Sequence, residues 1–120
     1  MKGLIVKKHW LDLILSGKKP WEIRGSNTKI RGTICLIESG TGMIKGTTIL
    51  SGTIPIERSQ LPQYEQLHRI EDTSIVKYKT PYAWVMERSE RLPNPIPYKH
   101  PQGAITWVNL PDDILEGVIP

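Results

Sequence analysis

Apolar and polar positions along the chain change spacing several times, and each change marks an element. Residues 3–7 (GLIVK) form a short apolar run that fits a strand. Across residues 9–16, Trp10, Leu13 and Ile14 recur at helical spacing, with Leu11 and Leu15 as a second stripe. Asp12 is expected in the first turn of that helix, where the dipole favours a carboxylate. Gly17 suits the position that ends it. Residues 21–24 (WEIR) then alternate as a strand does, Trp21 and Ile23 on one face, Glu22 and Arg24 on the other. After a loop at 25–28, residues 32–38 (GTICLIE) read as a β-branched strand covered on both faces. The turn Ser39-Gly40-Thr41-Gly42 leads into residues 43–56, a strand with a glycine irregularity near Gly46 or Gly52.

The second half is less regular. Leu61, Tyr64 and Leu67 suggest a short helix within residues 58–68, with Ser59 as N-cap and Pro62 in the first turn. Residues 70–80 carry little pattern. Residues 82–88 (YAWVMER) read as a strand, on which Tyr82 and Trp84 share a face suited to core packing. Four prolines between 92 and 101 predict a rigid extended loop. Residues 103–110 (GAITWVNL) read as the closing strand and 111–120 as a tail. Five or six strands with one or two short helices leave too few helices for a doubly wound parallel sheet. The expected class is α+β, mostly β: a small mixed barrel or curled sheet.

A length of 120 residues points to one domain spanning 1–120, with its core at about 3–110. Phe is absent, so Trp and Tyr supply the aromatic volume, often where a core meets a wet pocket. The longest apolar run, residues 10–15, is far shorter than a membrane span. The first residues lack the apolar stretch and cleavage site of a secretory leader. The lone Cys35 offers neither a disulfide nor a metal pair and reads as a buried strand residue. A cytoplasmic protein without metal or other cofactor is expected. The net charge of +4 is unevenly spread. Residues 1–31 hold eight basic and two acidic side chains, a net +6 that would attract phosphates.

The chemistry concentrates around the second strand. Lys19 precedes Glu22 and Arg24 across a proline-stiffened turn, so three ionisable groups gather where they would make a poor core face and a reasonable cleft floor. Arg24 supplies a planar fork for a phosphate or base edge. Glu22 can accept from base amino groups, or act as acid or base if burial raises its pKa. Lys19 is either a phosphate contact or, desolvated beside Arg24, a base or nucleophile. Lys18 adds a neighbouring cation, and Trp10 either packs or offers a surface for base stacking. Lys19 and Glu22 form the candidate catalytic pair, with Arg24 or His68 stabilising negative charge and His68 able to act near neutral pH. His9, His100 and the glycine-rich turn at 39–42 are weaker candidates.

The string Gly17-x-Lys19-x-x-Glu22-x-Arg24 resembles the G-x-K-x-x-E-x-R signature of ASCH domains, in the PUA-like superfamily. Its setting after a strand and short helix agrees, as do the YAWV strand at 82–85 and the glycine-initiated closing strand after residues 97–102, so the resemblance covers about residues 3–110. It implies a β-barrel with flanking helices and a cleft lined by the signature residues. It also implies binding of RNA, a nucleotide or a nucleoside. Some bacterial relatives are hydrolases, one branch deacetylating N4-acetylcytidine nucleosides and another cleaving RNA. In the deacetylating branch the signature lysine, matched by Lys19, works with a threonine and a glutamate. Glu22 stands where that threonine would be, and the second glutamate would be Glu65 or Glu71. A binding module, a small hydrolase and a protein-interaction accessory domain are thus the three functional expectations.

Overall fold

A computed structural model of the chain describes residues 1–118. Six strands and two short helices follow in order: β1 Lys2–Val6, α1 Lys8–Leu15, β2 Trp21–Arg24, β3 Gly32–Glu38, β4 Met43–Pro55, α2 Glu65–His68, β5 Tyr82–Pro97 and β6 Trp107–Asn109. All six strands join one curled sheet, a half-barrel in the order β2-β5-β4-β3-β1-β6. The pairing of β1 with β3 is parallel, and the chain crosses between them through α1 and β2. The remaining pairs are antiparallel. This is the expected mostly-β α+β architecture, a small curled sheet with short helices. No helix among the described residues is long and apolar enough to cross a membrane.

Strand alternation divides the apolar residues between two faces. Leu4, Val6, Ile34 and Leu36 meet Leu11 and Ile14 of α1 on one side, together with Trp84. Ile5, Cys35 and Ile37 pack on the other side against Ile44, Val108 and Leu110. Both faces of β1 and β3 are therefore covered, and burial pushes the Cys35 thiol up to about 11. A third cluster of Ile23, Ile56, Leu61, Ile70, Val76 and Ala83 seats α2 beside β2. The register of β4 slips at three places, two of them at Gly46 and Gly52, as their glycines predict.

At the end of α1, the Gly17 N–H donates to the Ile14 carbonyl and the Lys18 N–H to that of Leu13, with Gly17 at φ +81°. These are the two bonds of a Schellman cap. A methyl group at Gly17 would meet no neighbour, so its only cost is the left-handed backbone. Gly17→Ala is therefore expected to lose about 1 kcal/mol, a few degrees in a thermal melt. An unchanged melting temperature would remove that role.

Several expectations are corrected. Because α1 starts at Lys8, Asp12 falls beyond the first turn; it pairs instead with Lys8 at 2.6 Å and Arg91 at 3.0 Å. Ser59 does not cap a helix. A 3₁₀ segment, Arg58–Tyr64, follows Glu57 and contains Pro62, and only Glu65–His68 is α-helical. Residues 92–97 of the expected proline-rich loop are strand, since β5 continues to Pro97, and only 98–101 stay outside the sheet. Beyond Val85 this strand leaves β2 and becomes the sheet edge. The Tyr98 N–H donates to the Gly42 carbonyl, so alternate positions at this end turn away from β4. Pro95 and Pro97 occupy those positions, where a missing donor costs nothing. The closing strand is only Trp107–Asn109, because residues 101–104 form a turn closed by the Ala104 N–H on the Pro101 carbonyl. The last two residues of the expected tail, 119 and 120, lie outside the described residues.

Candidate functional site

The turn after α1 delivers Lys19 to the interior. Its backbone N–H joins that of Lys18 on the Leu13 carbonyl, and the Pro20 carbonyl accepts from Met86 N–H at 2.7 Å. Tied at both ends, the turn cannot swing the lysine into solvent. Only 1% of Lys19 is exposed and 5% of Glu22. The Lys19 Nζ donates to the His68 carbonyl, lies 3.8 Å from Glu22 Oε1 and sits 4.7 Å from the centre of the Trp10 ring. The other Glu22 oxygen, Oε2, accepts from Arg24 Nε at 3.1 Å and from its terminal nitrogen at 2.9 Å. That terminal nitrogen also donates to the Ile5 carbonyl at 2.9 Å, and the guanidinium lies 5.7 Å from the Trp84 ring. One carboxylate thus serves two cations, and this floor carries a net positive charge.

Desolvation lowers the Lys19 ammonium to about 8. The Glu22 carboxylate opposes the shift, and the Arg24 charge adds to it. An amine in this range is partly neutral at physiological pH and can hold or give up a proton.

These residues open onto a cavity of about 430 Å³, within the range of about 300–1,000 Å³ typical of small-ligand sites. Lys19, Glu22 and Arg24 line it together with Trp10, Lys7 and Ser39. The lining also includes Ile70, the segment from Ile75 to Tyr78, and Ile105, whose exposure puts it at the mouth. Glu22 is the one acidic side chain in this lining, while Lys7 and Lys77 add two more cations.

The ASCH domain profile matches residues 4–102. This chain belongs to the ASCH domain family. Its fold agrees with the crystal structure of ASCH from Zymomonas mobilis, with a TM-score of 0.73 over 94% of this chain and 89% of that one, at 14% identity. Two point variants of the same Zymomonas mobilis protein match at TM-scores of 0.72 and 0.70, again at 14% identity over 94% of this chain, covering 91% and 89% of theirs. No curated protein matches the sequence.

Within this ASCH domain, the candidates read from sequence separate into those at the cleft and those elsewhere. Lys19, Glu22, Arg24 and Trp10 line one cavity. Trp21 leaves the other face of β2, 5.1 Å from Tyr64, whereas Ile23 packs with Ile70 and Val76 and also contributes to the lining. Lys18 is exposed outside the cavity, its carbonyl accepting from Arg69. His68 is a correction. Its ring is fully buried, with Nδ1 accepting from the Ile70 N–H at 3.0 Å, which leaves Nε2 as the donor to the Leu61 carbonyl at 2.7 Å. Burial lowers its pKa, so it stays neutral and braces the wall, and it is the carbonyl of His68 that reaches the site. Glu65 and Glu71 do not line the cavity, nor do His9 and His100. Among the described residues no group of His, Cys, Asp or Glu is placed to hold a metal.

Of the turn at 39–42, Ser39 contributes to the lining. The residues that sequence reasoning missed are Lys7, Lys77, Tyr78 and Ile105. Only the Lys-Tyr-Lys run at 77–79 carried a signal, a cation–aromatic alternation inside an otherwise unpatterned stretch.

Proposed function

We propose that the chain binds RNA or a nucleotide, taking a base into the cleft above Lys19, Glu22 and Arg24. The observation carrying this reading is the cavity itself: a buried charged floor, a Trp10 and Tyr78 lining, and Lys7 and Lys77 at hand for phosphate. Glu22 can accept from an exocyclic amino group, and Lys19 can donate to a base carbonyl. The cations around them favour the polyanionic backbone. The N-terminal cationic excess works in the same direction.

Anisotropy titrations with labelled single-stranded RNA and competing nucleotides test this. Affinity should fall steeply with salt, and Arg24→Lys and Lys19→Met should each weaken binding at least about tenfold, the worth of one good bidentate or charge-assisted contact. Wild-type affinity in both variants would refute the reading.

A second reading has one observation in its favour, the depressed Lys19 beside Glu22 in a cleft. On this reading the ASCH domain is a small hydrolase of RNA or of an N4-acetylcytidine-like nucleoside, with Lys19 moving the proton. Turnover of either substrate, lost in Lys19→Met, would support it. Equal rates in the variant would count decisively against it.

A further inference from the structure

Four large hydrophobic side chains are exposed among the described residues, and three of them, Ile75, Tyr78 and Ile105, line the mouth of the cleft. They are 57%, 42% and 83% exposed. Scattered exposed apolar residues need no explanation, but a cluster at a cavity mouth does.

These side chains stand on fixed backbone. Ile75 lies in a 3₁₀ turn, Thr73–Ile75, capped by Asp72 through the Ser74 N–H at 3.1 Å and hydroxyl at 2.6 Å. The Tyr78 carbonyl accepts from Arg58 at 2.6 Å, and its ring rests on Gly25, where an added Cβ would come within 2.4 Å of it. On both sides of Ile105 the backbone is pinned. The Ala104 carbonyl accepts from His100 Nε2 at 2.9 Å, and His100 Nδ1 accepts from the Tyr98 hydroxyl at 2.8 Å. The Thr106 carbonyl accepts from the Ile5 N–H at 2.9 Å. The mouth is therefore a preformed apolar platform, flanked in the lining by Lys7 and Lys77.

Resting on the reading of the cleft as a base-binding site, we propose that this mouth is a second subsite. It takes the base adjoining the buried one, so the chain selects an oligonucleotide over a free nucleotide. A single nucleotide fills the cavity and leaves the platform wet. A neighbouring base stacks on Tyr78 and covers Ile75 and Ile105, while the phosphate linking the two bases falls to Lys7 or Lys77. The bases and phosphates of a single strand find both aromatic or apolar surface and cations within this lining. A protein partner would also cover apolar surface, but it would not be sensitive to a missing base.

The test uses the full chain with the four ribonucleoside monophosphates, the four RNA homotrinucleotides, and the same trinucleotides with abasic outer positions. Stacking predicts that the best trinucleotide binds roughly tenfold tighter than its abasic counterpart. In Ile105→Ser that advantage should fall, while monophosphate affinity and the melting temperature stay as in the wild type; in Tyr78→Ala the intact and abasic trinucleotides should bind alike. Equal binding of intact and abasic trinucleotides, with monophosphates still bound, overturns the second subsite and leaves the cleft reading standing. Equal losses for monophosphates and trinucleotides in Ile105→Ser also overturn it. Absence of binding by every probe overturns both.

Discussion

Replacing Arg24 by alanine is expected to destabilise the fold by about 3 kcal/mol, the usual cost of removing one partner from a buried ion pair. The size follows from what is left behind. Both Arg24 bonds to Glu22 Oε2 vanish, and the carboxylate keeps only Lys19 at 3.8 Å. The Ile5 carbonyl loses its side-chain donor and the Trp84 ring its cation. Arg24→Lys retains the charge but cannot supply Nε and a terminal nitrogen to one oxygen while reaching Ile5, so it should fall between wild type and alanine. Urea unfolding at neutral pH measures the series. An Arg24→Ala midpoint equal to wild type would mean that Glu22 is solvated, contrary to its burial.

Lys19→Met is expected to act in the opposite direction at neutral pH, raising stability by about 1–2 kcal/mol. The folded state lowers Lys19 from 10.5 to about 8, a penalty on the charged form of about 3 kcal/mol. Losing the hydrogen bond to the His68 carbonyl costs about 1 kcal/mol in return. The sign with pH follows from proton counts. Between pH 8 and 10.5 the unfolded chain binds the proton that the folded chain has released, so wild-type stability contains a part that rises with pH. Below pH 8 both states are protonated and the penalty is present in full. The methionine variant lacks this slope, and its advantage should shrink above pH 8 and reverse before pH 10.5. Urea midpoints of the two proteins at pH 7 and pH 10 check it. Parallel pH profiles would show that Lys19 is not desolvated. A buried lysine that costs stability while facing a cavity is what a functional group looks like, and it motivates testing the same variant for binding and turnover.

Much of the site was legible because its information is local. A two-residue period puts Glu22 and Arg24 on one face of β2 and Trp21 and Ile23 on the other, and no distant contact is needed to know it. Gly17 announced the end of α1 by its own backbone freedom, which also fixes where Lys19 begins its turn inward. Other readings failed where neighbours decide. The prolines after Leu92 suggested a loop because a proline inside a sheet lacks a donor. Only the strand pairing, with β2 ending opposite Val85, reveals that this stretch is an edge, where that donor is not required. His68 looked like a titrating side chain, yet the Leu61 carbonyl and Ile70 N–H occupy both its nitrogens.

The sequence by itself determined the mostly-β class, the short helix with its cap, the ASCH signature and the sorting of its side chains. These rest on backbone preferences and on periods of two and 3.6 residues. The depth of Lys19, the sharing of Glu22 between two cations and the far wall of the cleft were decided only by tertiary structure. That wall comes from Ile70 and residues 75–78, more than 45 positions beyond the signature. Its Tyr78 is set by contact with Gly25 rather than by any local pattern. Burial and charge pairing arise from which distant surfaces meet, and no local spacing encodes that meeting.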